Sequence, residues 1–145
     1  MTIEGDYHPS PTDWVRKQVE TIEATGTTES VDIKGRPVIL MTMRGAKTGG
    51  VRKVPVMRVE HGGEYAVVAS KGGAPHHPQW YYNLLASPRV QMQDGRVSRE
   101  YSVRELTDAE RDLWWERAVE AFPDYADYQT RTTRQIPVLL LEPVG

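Results

Sequence analysis

Short apolar runs separated by glycine-bearing turns constrain this chain more than any other feature. Pro37–Met43, Val51–Glu60, Glu64–Ser70, Arg89–Gln93, Val97–Glu105 and Ile136–Glu142 are each too short for a typical helix and rich in strand-forming residues. Gly49-Gly50, His61-Gly62-Gly63 and Asp94-Gly95 fall between successive runs, and Asp-Gly is a strong hairpin signal. Strands joined by tight turns pair antiparallel, so a parallel sheet with helical crossovers is disfavoured. Helical patterns flank the runs. Asp13–Ala24 presents Trp14, Val15, Val19 and Ile22 on one side, and a short aromatic helix follows Pro78. Thr107-Asp-Ala-Glu110 reads as a capping box opening a helix to Phe122, with Leu113, Trp114 and Val119 buried, and Pro123 starts another through Gln129. The expectation is an α+β chain, mainly antiparallel β, closed as a barrel with flanking helices.

At 145 residues, 39% hydrophobic and 26% charged, the chain suits one globular core. Residues 1–30 read as an N-terminal extension with a helix, mobile over 1–11 and linker-like over Thr25–Ser30, and residues 31–145 as the barrel. No cysteine is present, which excludes disulfides, thiolate metal sites and cysteine nucleophiles. No apolar run approaches a bilayer span and Met1–Thr12 lacks an apolar signal core, so a cytoplasmic location is expected.

Charge is distributed unevenly. Residues 33–59 hold seven bases (Lys34, Arg36, Arg44, Lys47, Arg52, Lys53 and Arg58) and no acid, in a chain of net charge −2. Local potential, more than net charge, attracts an anionic ligand. Within the window, Arg44-Gly-Ala-Lys47-Thr48-Gly49-Gly50-Val-Arg52-Lys53 combines bare backbone amides, a point charge, a hydroxyl and a planar guanidinium suited to phosphate or carboxylate. A Walker A loop is excluded, because Ala46 and Met41 stand where its glycines belong and a strand follows. A solvated hairpin loop is the competing reading.

A second segment, Ala69-Ser70-Lys71-Gly72-Gly73-Ala74-Pro75, follows a strand and leads through His76-His77-Pro78 into Gln79-Trp80-Tyr81-Tyr82-Asn83. Polar groups at a strand end beside aromatic walls suit a planar ring. Trp80 and Leu84, taken singly, read as core anchors. The adjacent His76 and His77 diverge, no other metal-ligand spacing exists, and no metal site is expected. The absence of a Gly-x-Ser-x-Gly elbow removes the commonest serine hydrolase reading.

These two segments, followed by Tyr125-Ala-Asp-Tyr128-Gln and Arg134-Gln-Ile-Pro137, resemble in order the deazaflavin (coenzyme F420)-dependent nitroreductases, over about Arg36 to Pro143. The resemblance implies a split β-barrel of the FMN-binding type and an oxidoreductase passing a hydride from reduced coenzyme F420 to a quinone, nitroaromatic or conjugated enone. It implies that Lys47, Thr48 and Arg52, with Ala46 and Lys53 on the same loop, hold the phosphate and oligoglutamate tail. By the same likeness Val54, Pro55, Val56, Met57, Val68, Ala69, Ser70 and Lys71 lie along the ring and ribitol. Gln79, Trp80, Tyr81, Tyr82 and Asn83 close over the cofactor, and Tyr125 lies over the ring. Tyr125, Tyr128 and Ser70 are the candidate catalytic residues. A neutral phenol, with a reference pKa of about 10, can donate to a developing oxyanion. Ala46 and Met57 depart from the pattern, standing where relatives often carry a base and an aromatic.

The partner expected is a small-molecule electron acceptor, with no nucleic acid. The Trp14-bearing helix is a candidate for packing, dimer or peripheral membrane contact, in a monomer or homodimer. Two rivals stay open on the sequence: an FMN-binding split-barrel oxidoreductase, and a non-catalytic deazaflavin or anion-binding protein. Nucleic-acid binding is weakened by the acidic remainder of the chain.

Overall fold

The computed structural model describes residues 3–144. Seven strands form one antiparallel sheet: β1 (Val38–Arg44), β2 (Val51–Met57), β3 (Glu60–His61), β4 (Glu64–Val68), β5 (Arg89–Asp94), β6 (Val97–Glu105) and β7 (Val138–Pro143). Their spatial order is β2-β1-β5-β6-β7-β4-β3. β2 and β3 thus occupy opposite edges, yet only Arg58 and Val59 separate them in sequence. The two edges must therefore meet, and the sheet curls into a split barrel. The run expected as one strand, Val51–Glu60, is divided by that closure: Val51–Met57 pairs with β1, and Glu60–His61 pairs with β4.

Burial follows the strand period of two. Leu139 and Leu141 point into the barrel with Ile39, Met41, Val67 and Met92, whereas Val138 and Leu140 face outward with Ala66 and Val68. Helix α3 (Asp108–Ala121) covers that outer face through Trp114 and Ala118, with Phe122 after it. Helix α4 (Asp124–Thr130) adds Tyr125. Both faces of β4 and β7 are buried, which is why these strands read as unbroken apolar runs. Helix α1 (Asp13–Thr25) seats Val19 and Ile22 on Leu40. Helix α2 (Gln79–Ala86) drops Tyr81 and Leu84 into the barrel.

Four local expectations are corrected. The capping box at Thr107 does not form, since Thr107 makes no side-chain cap bond and both Glu110 oxygens are taken by Arg104, at 2.7 and 2.6 Å. Leu113 is 46% exposed, because the inward face of α3 is set by the i, i+4, i+8 series Trp114, Ala118 and Phe122. Residues 6–8 are held to the barrel by a bridge at the first residue of β2: Val51 donates to Asp6, and His8 donates back to Val51. Thr28, in the stretch expected to be linker-like, is buried, exchanging hydrogen bonds with Gly95 through its amide (3.0 Å) and hydroxyl (2.7 Å).

A polar tie secures the barrel where its edges meet. Arg58 Nε donates to both oxygens of Asp94 at 3.0 and 2.9 Å, and the Tyr65 hydroxyl donates to the same carboxylate. Burial, and then the bond to Asp94, raise the Tyr65 phenol well above its ordinary pKa, so it stays a donor. Replacing Asp94 with Ala leaves two partly buried donors unpaired, and a loss of about 1–3 kcal/mol is expected in urea unfolding followed by circular dichroism. Tyr65→Phe should lose about 1 kcal/mol in the same measurement.

Candidate active site

A cavity of about 670 Å³ opens beside the barrel, a size typical of cofactor and substrate pockets. Its wall is built from β2 (Arg52–Met57), the end of β4 with the following turn (Val68, Ser70, Lys71, Gly72) and the start of α2 (Pro78, Gln79, Trp80, Asn83). Phe122, Tyr125 and Tyr128 come from the α3–α4 corner. The N-terminal arm adds His8, Ser10, Pro11, Thr12, Trp14 and Val15, and Ile33 and Met43 complete the lining.

The turn after β4 is the most constrained part of the wall. Lys71, Gly72 and Gly73 are consecutively left-handed, with φ of 47°, 63° and 81°. For Lys71 this conformation costs about 1 kcal/mol, so the surroundings must hold it. Arg134 does so: its guanidinium donates to the carbonyls of Ala69 (3.1 Å), Ser70 (2.7 Å) and Ala74 (2.9 Å). Gly73 is required because a Cβ there would lie 2.7 Å from the Tyr128 carbonyl, so α4 rests directly on the turn. The turn and the tyrosine helix therefore share one rigid contact.

The same guanidinium lies 2.9 Å from His77 Nδ1. Arginine only donates, so Nδ1 must present its lone pair and the ring must be neutral. Burial, and then the Arg134 charge, lower the His77 pKa.

Tyr125 and Tyr128 occupy the cavity side of α4 but differ in their surroundings. Tyr125 is 4% exposed and stacks edge-on against Phe122 at 5.0 Å. Burial, and then Tyr128, raise its phenol well above the ordinary value, with no side-chain hydrogen bond contributing, so a neutral hydroxyl is left for a ligand. The Tyr128 hydroxyl accepts from Lys34 at 3.1 Å.

Of the residues singled out from the sequence, fourteen line the cavity: Arg52, Lys53, Val54, Pro55, Val56, Met57, Val68, Ser70, Lys71, Gln79, Trp80, Asn83, Tyr125 and Tyr128. Six lie outside its wall. Ala69 is fully buried in the barrel core, because it alternates with Val68 and Ser70. Tyr81 faces the barrel and donates to Glu105 at 2.6 Å, since the helical period that aims Trp80 and Asn83 at the cavity turns Tyr81 away. Tyr82 is 46% exposed. Ala46, Lys47 and Thr48 sit on the adjoining loop, which is docked by the Ala46 amide donating to Asn83 Oδ1 at 3.0 Å and by Thr48 Oγ1 lying 3.3 Å from His8 Nδ1.

The charge window resolves into two groups. Lys34, Lys53 and Arg58 pair with Asp124, Glu23 and Asp94, all from outside the window. Arg36, Arg44, Lys47 and Arg52 take no carboxylate partner among the described residues, and Arg52 donates instead to the His8 carbonyl at 3.1 Å. The arm, Ile33, Phe122 and the Arg134 clamp were not anticipated as site components. Trp14 and Val15 carried an apolar signal, but an arm held by one isolated bridge leaves no periodicity to read.

The neutral His77 gives a pH dependence of definite sign. Its folded pKa lies below the ordinary value of about 6.5, so the unfolded chain binds the proton more readily. This contribution is complete above that value and is lost as pH falls through the lower folded pKa. His77→Gln, which keeps an acceptor but does not titrate, should lose less stability than the wild type between about pH 7 and pH 5, read from thermal unfolding midpoints.

Comparison with known proteins agrees with this architecture. A family model described as F420H(2)-dependent quinone reductase matches residues 14–143. The F420H(2)-dependent quinone reductase Rv1261c of Mycobacterium tuberculosis is 35% identical over 108 residues, 72% of each chain. A solved F420-H2 dependent reductase, FDR-A, is 53% identical with a TM-score of 0.70, covering 77% of this chain and 99% of its own. Another solved chain, described as a domain-swapped dimer, is 54% identical with a TM-score of 0.73, covering 92% of this chain and 100% of its own. With its split barrel, its cationic and aromatic cavity and these matches together, the chain belongs to the F420H2-dependent quinone reductase family.

Proposed function

We propose that the cavity holds reduced coenzyme F420 beside a quinone, and that the protein reduces the quinone to its hydroquinone. The observation that carries this reading is one cavity with apolar strand walls, three cations and two phenols. Those donors fit the coenzyme's chemistry, a flat ring on an anionic phosphodiester and oligoglutamate tail. When bound, the coenzyme supplies a hydride.

The chain's own residues do the rest. Arg52 and Lys71 neutralise the anionic portion, Lys47 on the neighbouring loop extends that field to the tail, and Lys53 lines the same wall with its charge shared with Glu23. Val54, Val56, Met57 and Val68 form an apolar bed for the ring. The left-handed Lys71 and Gly72 are locked by Arg134, and the preorganised dipoles of the turn stabilise charge changes with little reorganisation. Trp14, Val15 and Trp80 exclude water from the reacting face. Hydroquinone formation also takes up a proton. In this reading the hydroxyls of Tyr125, Tyr128 and Ser70, which line the cavity, orient the quinone oxygen and donate to it. Quinones are the expected acceptors, with nitroaromatics and enones as further flat acceptors.

The test is a titration of the purified protein with F420 followed by tryptophan fluorescence, with FMN in parallel, and then turnover with a benzoquinone. Saturable F420 binding and quinone reduction are expected, while tight FMN binding without F420 binding would overturn the assignment. Arg52→Ala should weaken F420 binding about tenfold, the usual loss for one charge-assisted contact. Tyr125→Phe should lower kcat by about 10- to 100-fold with F420 affinity within about twofold of wild type.

A further inference from the structure

Lys34 belongs to the acid-free window but lines no part of the cavity wall, and its side chain reaches α4 across 94 residues of sequence. It sits in a tight turn, Asp32–Arg36, in which Ile33 and Arg36 exchange backbone hydrogen bonds at 3.1 and 3.0 Å. The Asp32 carboxylate accepts from the Gly35 amide at 3.2 Å. Lys34 and Gly35 have φ of 51° and 75°, a geometry that suits Asn-Gly or Gly-Gly. Lysine in that place costs about 1 kcal/mol of backbone strain. The ion pair to Asp124 (2.9 Å) is exposed on both sides, at 58% and 44%, and such pairs stabilise little. The strain is therefore not explained by a structural ion pair alone.

We propose that Lys34 is a positioning residue for quinone reduction, orienting the Tyr128 hydroxyl so that its proton is directed into the cavity. The ammonium can only donate. In the contact with Tyr128 it therefore occupies a lone pair of the phenol oxygen, at 3.1 Å, and the phenol's own hydrogen points away from Lys34. Tyr128 lines the cavity, so an acceptor oxygen held there meets that hydrogen. Ile33, in the same turn, lines the cavity as well, so seating the turn shapes the wall and the donor together. Lys34 also lies 5.6 Å from the centre of the Tyr128 ring and 5.8 Å from that of Phe122. Hydrogen bonding to Asp124, and then to Tyr128, raises its pKa, so the charge persists through the neutral range. A fixed positive charge one hydrogen bond from the donor favours a developing anion on the substrate. The inference rests on the reading of the cavity as the quinone site and separates Tyr128 from Tyr125, whose hydroxyl has no such partner.

Lys34→Asn, Lys34→Arg, Tyr128→Phe and the Lys34→Asn/Tyr128→Phe double variant test it in the full-length protein. Lys34→Asn should keep or raise the unfolding midpoint, because asparagine tolerates positive φ, while kcat with a benzoquinone falls about tenfold at unchanged F420 affinity. Lys34→Arg should recover most of the rate, and the double variant should be no slower than Tyr128→Phe alone. Independently of turnover, the Tyr128 13Cζ resonance of the coenzyme-free protein should shift in Lys34→Asn and return in Lys34→Arg. Wild-type rate in Lys34→Asn, additive losses in the double variant, or an unmoved Tyr128 resonance would each overturn the proposal. Failure of the wild type to bind F420 or reduce quinones would instead refute the quinone-site reading, with the resonance still deciding the Lys34–Tyr128 contact.

Discussion

The structure depends on the insertion of the last strand between two earlier ones. β7 pairs with β6 through Tyr101–Glu105 and with β4 through Tyr65–Val68, so the sheet is incomplete until the C-terminal segment docks. Val138, Leu139, Leu140 and Leu141 are each at most 1% exposed, split between the barrel interior and the face under α3. Burial on both faces joins two apolar cores that would otherwise form separately. The register of β7 also delivers Arg134, just upstream, to the Ala69 and Ser70 carbonyls immediately beyond β4. Barrel closure and the shaping of the cavity are thus one event.

Around that frame, cations serve two distinct ends. Lys53 and Arg58 are drawn into ion pairs that bind α1 and the barrel seam. Arg52 holds the arm by its backbone, a contact that leaves its charge uncompensated by any acid among the described residues. The window without acids borrows carboxylates where the fold needs them and keeps positive potential beside the cavity. Gly50 contributes to the same arrangement, since a Cβ there would lie 2.4 Å from the His8 ring that packs across it.

Much of the fold was legible because strand signals here are local. Glu64–Val68 and Val97–Glu105 carry their turns beside them, and Asp94-Gly95 sets the register of β5 against β6 without outside help. Helix α1, expected over Asp13–Ala24, runs one residue further to Thr25 and stops where Gly26 takes a left-handed conformation. What misled was competition from tertiary partners. Arg104 takes the Glu110 that would have completed the capping box, and Trp114 rather than Leu113 meets the outer face of the sheet. In the candidate site, β2, Lys71 and the tyrosine pair could be read from ordered motifs. The division of Gln79–Asn83 between cavity and core could not, because it depends on the rotation of α2 about its axis.

The sequence by itself determined the strand runs, short of the division between β2 and β3, together with the antiparallel class, the cationic glycine loop and the glycine turn, because each rests on residues close together in the chain. Only the tertiary structure decided which of those residues share a cavity. It brought the arm from His8 onward across β2, carried Arg134 to the turn of residues 69–74, and set Lys34 against Tyr128. These contacts span dozens of residues and depend on how the barrel closes. Local propensity holds no record of them, since the energy that selects them comes from packing and hydrogen bonding between segments distant in sequence.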